Sequence, residues 1–175
     1  MHSPTSGQTV VADFFAQGYR VSGVYVEGKL SLPDAVYDQS TDYLLIQEAY
    51  LSPITDPAKI SVHYTSTTLA KQNLDFILTL EQQDGLRRDQ RYSLGRSTFD
   101  LCLTVPFFEI RGRLHTANRS FDPRVFLSAE AGPFITLLDV TASCTFNPSI
   151  SYSGGAALIN RQSIGFLGER EGDEA

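Results

Sequence analysis

Cysteine is scarce in this chain. The 175 residues hold two, Cys102 and Cys144, with no CxxC spacing and no neighbouring histidine. A disulfide-stapled scaffold is therefore excluded. Histidine is nearly as rare: His2, His63 and His115 have no second ligand at metal-binding spacing. Charge is also thin, with Asp, Glu, Lys and Arg at 19% and a net of −6, against about 25% charged residues in an average domain. A chain of this sign is not built to hold nucleic acid by bulk attraction to phosphate. Wholly apolar stretches last only a few residues, so no segment reads as a membrane-spanning helix. GxSxG, P-loop and GxGxxG motifs are missing, as is any nucleophile–base or metal set. No enzyme chemistry and no cofactor is expected. The opening MHSPTSGQTVV lacks the basic start and apolar run of a secretory signal, so the expected location is the cytoplasm. The sequon at Asn118 would matter only in a secreted chain.

What the sequence does contain is 42% apolar residues, 11 Phe, 8 Tyr, 13 Gly and 8 Pro, the make-up of short strands joined by turns. The dominant period is two. Phe99, Leu101, Leu103 and Val105 face one way, opposite Asp100, Cys102 and Thr104. Beyond Pro106, which breaks the ladder or marks a bend, Phe108, Ile110, Gly112 and Leu114 share a face. Ile60, Val62 and Tyr64 alternate likewise. Tyr43–Ile46 and Phe134–Leu138 are apolar on both faces, as in a central strand. Only 32–37 and 122–127 read as short helical turns, the second with Asp122 as cap and Pro123 at the first helical position. Both cysteines fall in strand-like runs. The simplest reading is a buried free thiol for each, with an inter-strand disulfide as the alternative that spacing does not decide. Ser153-Gly154-Gly155 reads as a flexible hairpin tip.

Three segments of the first half recur in the second. Tyr19–Gly23 matches Phe108–Gly112, Tyr43–Ala49 matches Phe134–Val140, and Leu69–Ile77 matches Ile159–Leu167, at offsets of 89, 91 and 90. The order and near-constant offset point to a tandem repeat. Residues 1–80 then form a first β-barrel-like unit and 98–167 a second, each of about five short strands with one helical turn. Gly23 and Gly112 fall mid-strand, where a side chain would obstruct a sharp bend. Residues 81–97 form a polar, arginine-rich linker and 168–175 an acidic, disordered tail. The linker arginines Arg87, Arg88, Arg91 and Arg96 are the only basic concentration, and they read as a solvated stretch pairing with acids of the same chain.

The segments Ile110-Arg-Gly-Arg-Leu114, Phe134-Ile-Thr-Leu-Leu-Asp-Val140 and Leu158–Leu167 resemble the Sm-like (LSm) fold. Val21–Gly23, Tyr43–Ala49 and Thr68–Ile77 resemble it more loosely. A looser similarity links the pattern GRL…FI-L-DV…NR--I to bacterial proteins. The expected fold is thus all-β: two tandem, small Sm-like partial barrels. Departures from that family are the missing N-terminal helix and the Asn160-Arg161-Gln162 and Ala70-Lys71-Gln72 turns, which replace paired glycines. The resemblance implies RNA binding in a ring, with Asn160, Arg161 and Lys71 as the matching late-loop positions.

Two functions follow as expectations. The first is a non-enzymatic binding or scaffold module acting through protein contacts, with self-association by strand edges into a homo-oligomer. The second is binding of short RNA through Lys71, Asn160 and Arg161, with the linker arginines Arg87, Arg88, Arg91 and Arg96 as further contacts; an enzyme of unknown class ranks behind both. Glu48 and Asp139 occupy matching strand-end positions and read as turn-capping or loop-bonding carboxylates rather than an acid–base pair.

Overall fold

The computed structural model describes residues 7–91 and 97–171; His2, Arg96 and residues 172–175 lie outside that range. The chain is all-β. Its ten strands form one open antiparallel sheet rather than two separate barrels. β1 (Thr9–Ala16), β2 (Tyr19–Val26), β3 (Tyr43–Pro53), β4 (Val62–Ala70) and β5 (Leu74–Thr79) come from the first half. β6 (Ser97–Val105), β7 (Phe108–Thr116), β8 (Phe134–Cys144), β9 (Ser151–Asn160) and β10 (Leu167–Glu169) come from the second. The spatial order is β10-β6-β7-β8-β9-β5-β1-β2-β3-β4. Each half therefore lays its fifth strand beside its first, and β5·β9 is the ladder that joins the halves. Among the described residues, no helix is long and apolar enough to cross a membrane.

Local chemistry accounts for the elements. α1 (Leu32–Tyr37) starts at Ser31, whose hydroxyl accepts from the Asp34 amide, and α3 (Pro123–Phe126) starts at Asp122, which accepts from the Arg124 amide. Pro106-Phe107 turns the chain between β6 and β7, with Phe107 at φ 69°; Gln17-Gly18 does the same between β1 and β2. The ladder slips register at Ser22/Val24 and again at Arg111/Arg113, on either side of Gly23 and Gly112. Opposite those slips stand Glu48 and Asp139, at φ 48° and 50°. A Cβ on Gly23 would come within 2.4 Å of Ile46 Cγ2, so the close approach of β3 requires glycine there.

The alternating faces of β6 and β7 bury Leu101, Leu103, Val105, Phe108 and Ile110 as read from the sequence. Three expectations fail. Ile60, Val62 and Tyr64 do not form a half-buried face, because β4 is the sheet's outer edge: Ile60 precedes it and is exposed, and so is Tyr64. Tyr43–Ile46 is not apolar-buried on both faces, since Tyr43 and Leu45 stand in solvent. Gly154 and Gly155 are not a hairpin tip but lie within β9, where the chain leaving β5 crosses so closely that a Cβ on Gly155 would meet Leu80 O at 2.5 Å. The tail also starts later than its acidic composition suggests, because Gly168 and Glu169 pair with β6 and the Arg170 amide donates to Asp100 O. Cys102 and Cys144 are both free thiols.

The two cores are shared across the halves. Phe15 and Phe76 of the first half stack at 4.2 Å, and both meet Phe108 of the second edge-on. Conversely, Phe134 and Leu158 of the second half pack with Phe14, Leu32 and Ile77 of the first. The polar stretch 81–91 takes part as well. It opens with α2 (Gln82–Gly85), after which Leu86 buries against Leu138 and Ala156. Arg87 pairs with Asp34 at 3.2 Å and stacks on the Tyr37 ring at 4.5 Å, fastening the linker to α1.

Candidate functional site

The turns that follow β4 and β9 are single 3-10 turns, Lys71–Asn73 and Arg161–Ser163. Each begins with a cation in the same relation to the loop before β3 or β8. The Lys71 amide donates to Asp42 O, and its ammonium donates to Asp38 O, Thr41 O and Thr41 Oγ1 at 2.8, 2.8 and 2.9 Å. The Arg161 amide donates to Pro133 O, and its guanidinium to Gly132 O and Leu127 O at 3.0 and 3.1 Å. Both side chains thus pin the loop beside them. Lys71 is only 8% exposed, and burial draws its pKa down against the pull of Asp38 and Asp42. With three donors already engaged, its ammonium holds no free hydrogen for a phosphate.

Asn160 differs from its counterpart Ala70. It is buried, caps its own turn by accepting from the Gln162 amide, and donates to Leu74 O at 2.8 Å across the joint between halves. Nearby, Ser163 donates to Asp75 at 3.0 Å, and burial raises that carboxyl above its ordinary range. Lys71, Asn160 and Arg161, predicted separately, line one cleft of about 470 Å³ at this joint, together with Tyr43, Gln72 and Gln162. Sequence reasoning missed Tyr43, whose ring is 60% exposed. Its signal was available as the aromatic opening the repeated β3 segment.

The other predicted residues lie elsewhere. Arg87 is engaged with α1, and Arg91 Nε donates to Gln83 O. Arg88 is not among the residues that line the cleft. His63 pairs with Glu48 at 2.9 Å and stacks on Tyr50, on the exposed side of β3 and β4. Asp139 accepts from Gln82 Nε2 at 2.7 Å and pairs with Arg113 at 3.2 Å. Asp139 thus ties the linker to the sheet, whereas Glu48 pairs strand to strand with His63 of β4. Among the described residues, no group of three or more His, Cys, Asp or Glu side chains is placed to hold a metal ion.

The two sheet edges are distinctive as well. β4 presents Ser66, Thr67, Thr68 and Leu69 along an outer side without a neighbouring strand. β10 is three residues long and is preceded by Phe166, 63% exposed. No family model matches the chain, and no curated protein or solved structure matches it.

Proposed function

We propose that this chain is a tandem Sm-like protein that works as a non-enzymatic binding and scaffold module, assembling head to tail through its open strand edges. The carrying observation is the β5·β9 ladder, in which Phe76, Ile77, Leu78 and Thr79 pair with Ile159, Leu158, Ala157 and Ala156. Shifted by the repeat offset of 90, those positions become Phe166 with Leu167, Gly168 and Glu169 of β10, and Leu69, Thr68, Thr67 and Ser66 of β4. These are the two free edges, one at each end of the sheet. A second copy adding its β10 to β4 repeats the internal ladder between chains, a heterologous contact that closes into a ring or runs on as a filament. Exposure follows the same logic. Phe76 is wholly buried and its counterpart Phe166 is bare; Phe134 is 3% exposed and its counterpart Tyr43 is bare.

Sedimentation velocity over a wide concentration range tests the assembly. The expected result is a species larger than the 19.3 kDa chain, dissociated by Phe166→Asp or by Thr68→Lys. A strict monomer at high concentration overturns it.

A second reading, binding of short RNA, is favoured by the exposed Tyr43 ring beside the Lys71 and Asn160 turns in the 470 Å³ cleft, a stacking platform next to exposed amides. Because Lys71 and Arg161 hold their own loops, base contact falls to Tyr43, Gln72 and Gln162. Fluorescence anisotropy with U-rich and A-rich RNA at low salt is expected to show binding that Tyr43→Ala weakens at least tenfold. No binding at micromolar protein removes this reading.

A further inference from the structure

The two halves use the same register, ladder for ladder. β1 meets β5 as Phe14↔Ile77, and β6 meets β10 as Leu103↔Leu167. β1 meets β2 as Ala16↔Tyr19, and β6 meets β7 as Val105↔Phe108. Phe166 thus holds the place of Phe76, and Tyr19 holds that of Phe108. One end of the second-half core is closed by four side chains of the first half, Phe15, Ile54, Phe76 and Leu78, with Phe76 edge-on to Phe108 at 5.0 Å. Under that cover Phe108 is 2% exposed. The corresponding end of the first-half core stands open among the described residues. Tyr19 shares a face with the buried Val21, yet it is 46% exposed. Ala16 and Leu51 are half-buried there, where their counterparts Val105 and Ala142 are buried.

We propose that the Phe166 ring of a second copy closes this end, seated edge-on against Tyr19 as Phe76 is seated against Phe108. The inference rests on the head-to-tail assembly proposed above and names the residue that receives the incoming chain. When β10 of one copy pairs with β4 of the next in the register of β5·β9, the contact of Phe76 with Phe108 becomes a contact of Phe166 with Tyr19 of the next copy. Both rings are exposed in the single chain, and an edge-to-face pair buries them together. The rest of the internal cover is not repeated. The counterparts of Phe15, Ile54 and Leu78 are Thr104, Thr145 and Gly168, so a single ring stands where the internal joint has four apolar side chains. β4 also carries Tyr64 and Thr65 where β9 has Gly154 and Gly155, positions at which a Cβ would meet Thr79 O at 2.6 Å and Leu80 O at 2.5 Å. The incoming chain therefore leaves β4 at its Glu169, and this short ladder leaves the ring as the main apolar contact.

The chain has no tryptophan, so Tyr19→Trp places a single fluorescent reporter at the proposed seat. Its emission is expected to move to shorter wavelength as concentration rises, in step with assembly followed by sedimentation velocity. In a dilute sample, excess Thr68→Lys chain, which keeps Phe166, is expected to produce the same shift, and excess Phe166→Asp chain none. Tyr19→Ser is expected to weaken assembly at least tenfold, and it serves as the second variant should the Trp substitution disturb the fold. Gly168→Leu is expected to tighten assembly at least tenfold, because a Cβ there meets nothing within 4 Å and its counterpart Leu78 is buried in the internal joint. Assembly without an emission shift, or unaltered by Tyr19→Ser or by Gly168→Leu, overturns this proposal and leaves the head-to-tail reading standing. Short-wavelength emission at every dilution overturns it too, because the chain then covers its own residue 19. A strict monomer at high concentration overturns both.

Discussion

The joint between the halves and the free edges of the sheet are the same kind of surface in opposite circumstances. At the joint, three of the four β5·β9 pairs are apolar with apolar, the fourth being Thr79 with Ala156, and Phe76, Leu158 and Ile159 are fully buried. At the free edges, β4 carries Ser66, Thr67 and Thr68 at the corresponding places, and β10 is cut to three residues. A sealed edge tolerates any apolar density that packs, whereas an open one is kept short or hydroxyl-rich, which limits indiscriminate pairing. Phe166, just before β10, and Tyr64 of β4 depart from that rule, and the proposed assembly rests on Phe166.

The largest expected break in this comparison comes from Phe76→Ala. It removes a ring stacked on Phe15 and edge-on to Phe108, and is expected to destabilise the chain by about 3–5 kcal/mol. Urea unfolding is expected to show one transition for both halves, because each core holds residues of the other; Phe166→Ala is expected to leave that midpoint unchanged. Next comes Asn160→Ala, which leaves Leu74 O and the Gln162 amide without their partner and costs about 1–3 kcal/mol, while Ala70→Val at the matching position stays near neutral. Gly23→Ala is expected to cost about 1–3 kcal/mol and more than Gly112→Ala. The added Cβ meets Ile46 at 2.4 Å in the first case and Val140 at 3.0 Å in the second.

The smallest effect concerns pH. Burial raises the Asp75 carboxyl, so its contribution to stability is fully present below the unfolded carboxylate pKa and is lost as pH rises through the folded one. Asp75→Asn is expected to raise the melting temperature at neutral pH, keep the Ser163 bond and flatten the profile through the acidic range.

Much of the architecture was legible because strand alternation and turn chemistry are local. The faces of β6 and β7, the helical turn at 32–37, the capped turn at Asp122, and the strand glycines at 23 and 112 all appear where the pattern put them. Neighbour choice is not local. Alternation tells which side of β4 and β3 is apolar, but not that β4 has no outer neighbour, so Tyr64 and Leu45 read as buried. The β5·β9 pairing has no sequence signature, and without it Gly154-Gly155 looks like a loop. At the cleft, position identified Lys71, Asn160 and Arg161, but residue type alone did not show that their hydrogen bonds turn inward. Leu86 went unnoticed because one leucine among arginines and glutamines has no period.

The linker has a consequence for binding strength. By holding β5 and β9 on one polypeptide, it makes their meeting an intramolecular event at an effective concentration on the order of millimolar. The matching encounter between separate chains has no such tether and depends on how much protein is present. Under the proposed assembly, the same geometry is permanent inside the molecule and adjustable between molecules, so that abundance alone would set how far an array extends.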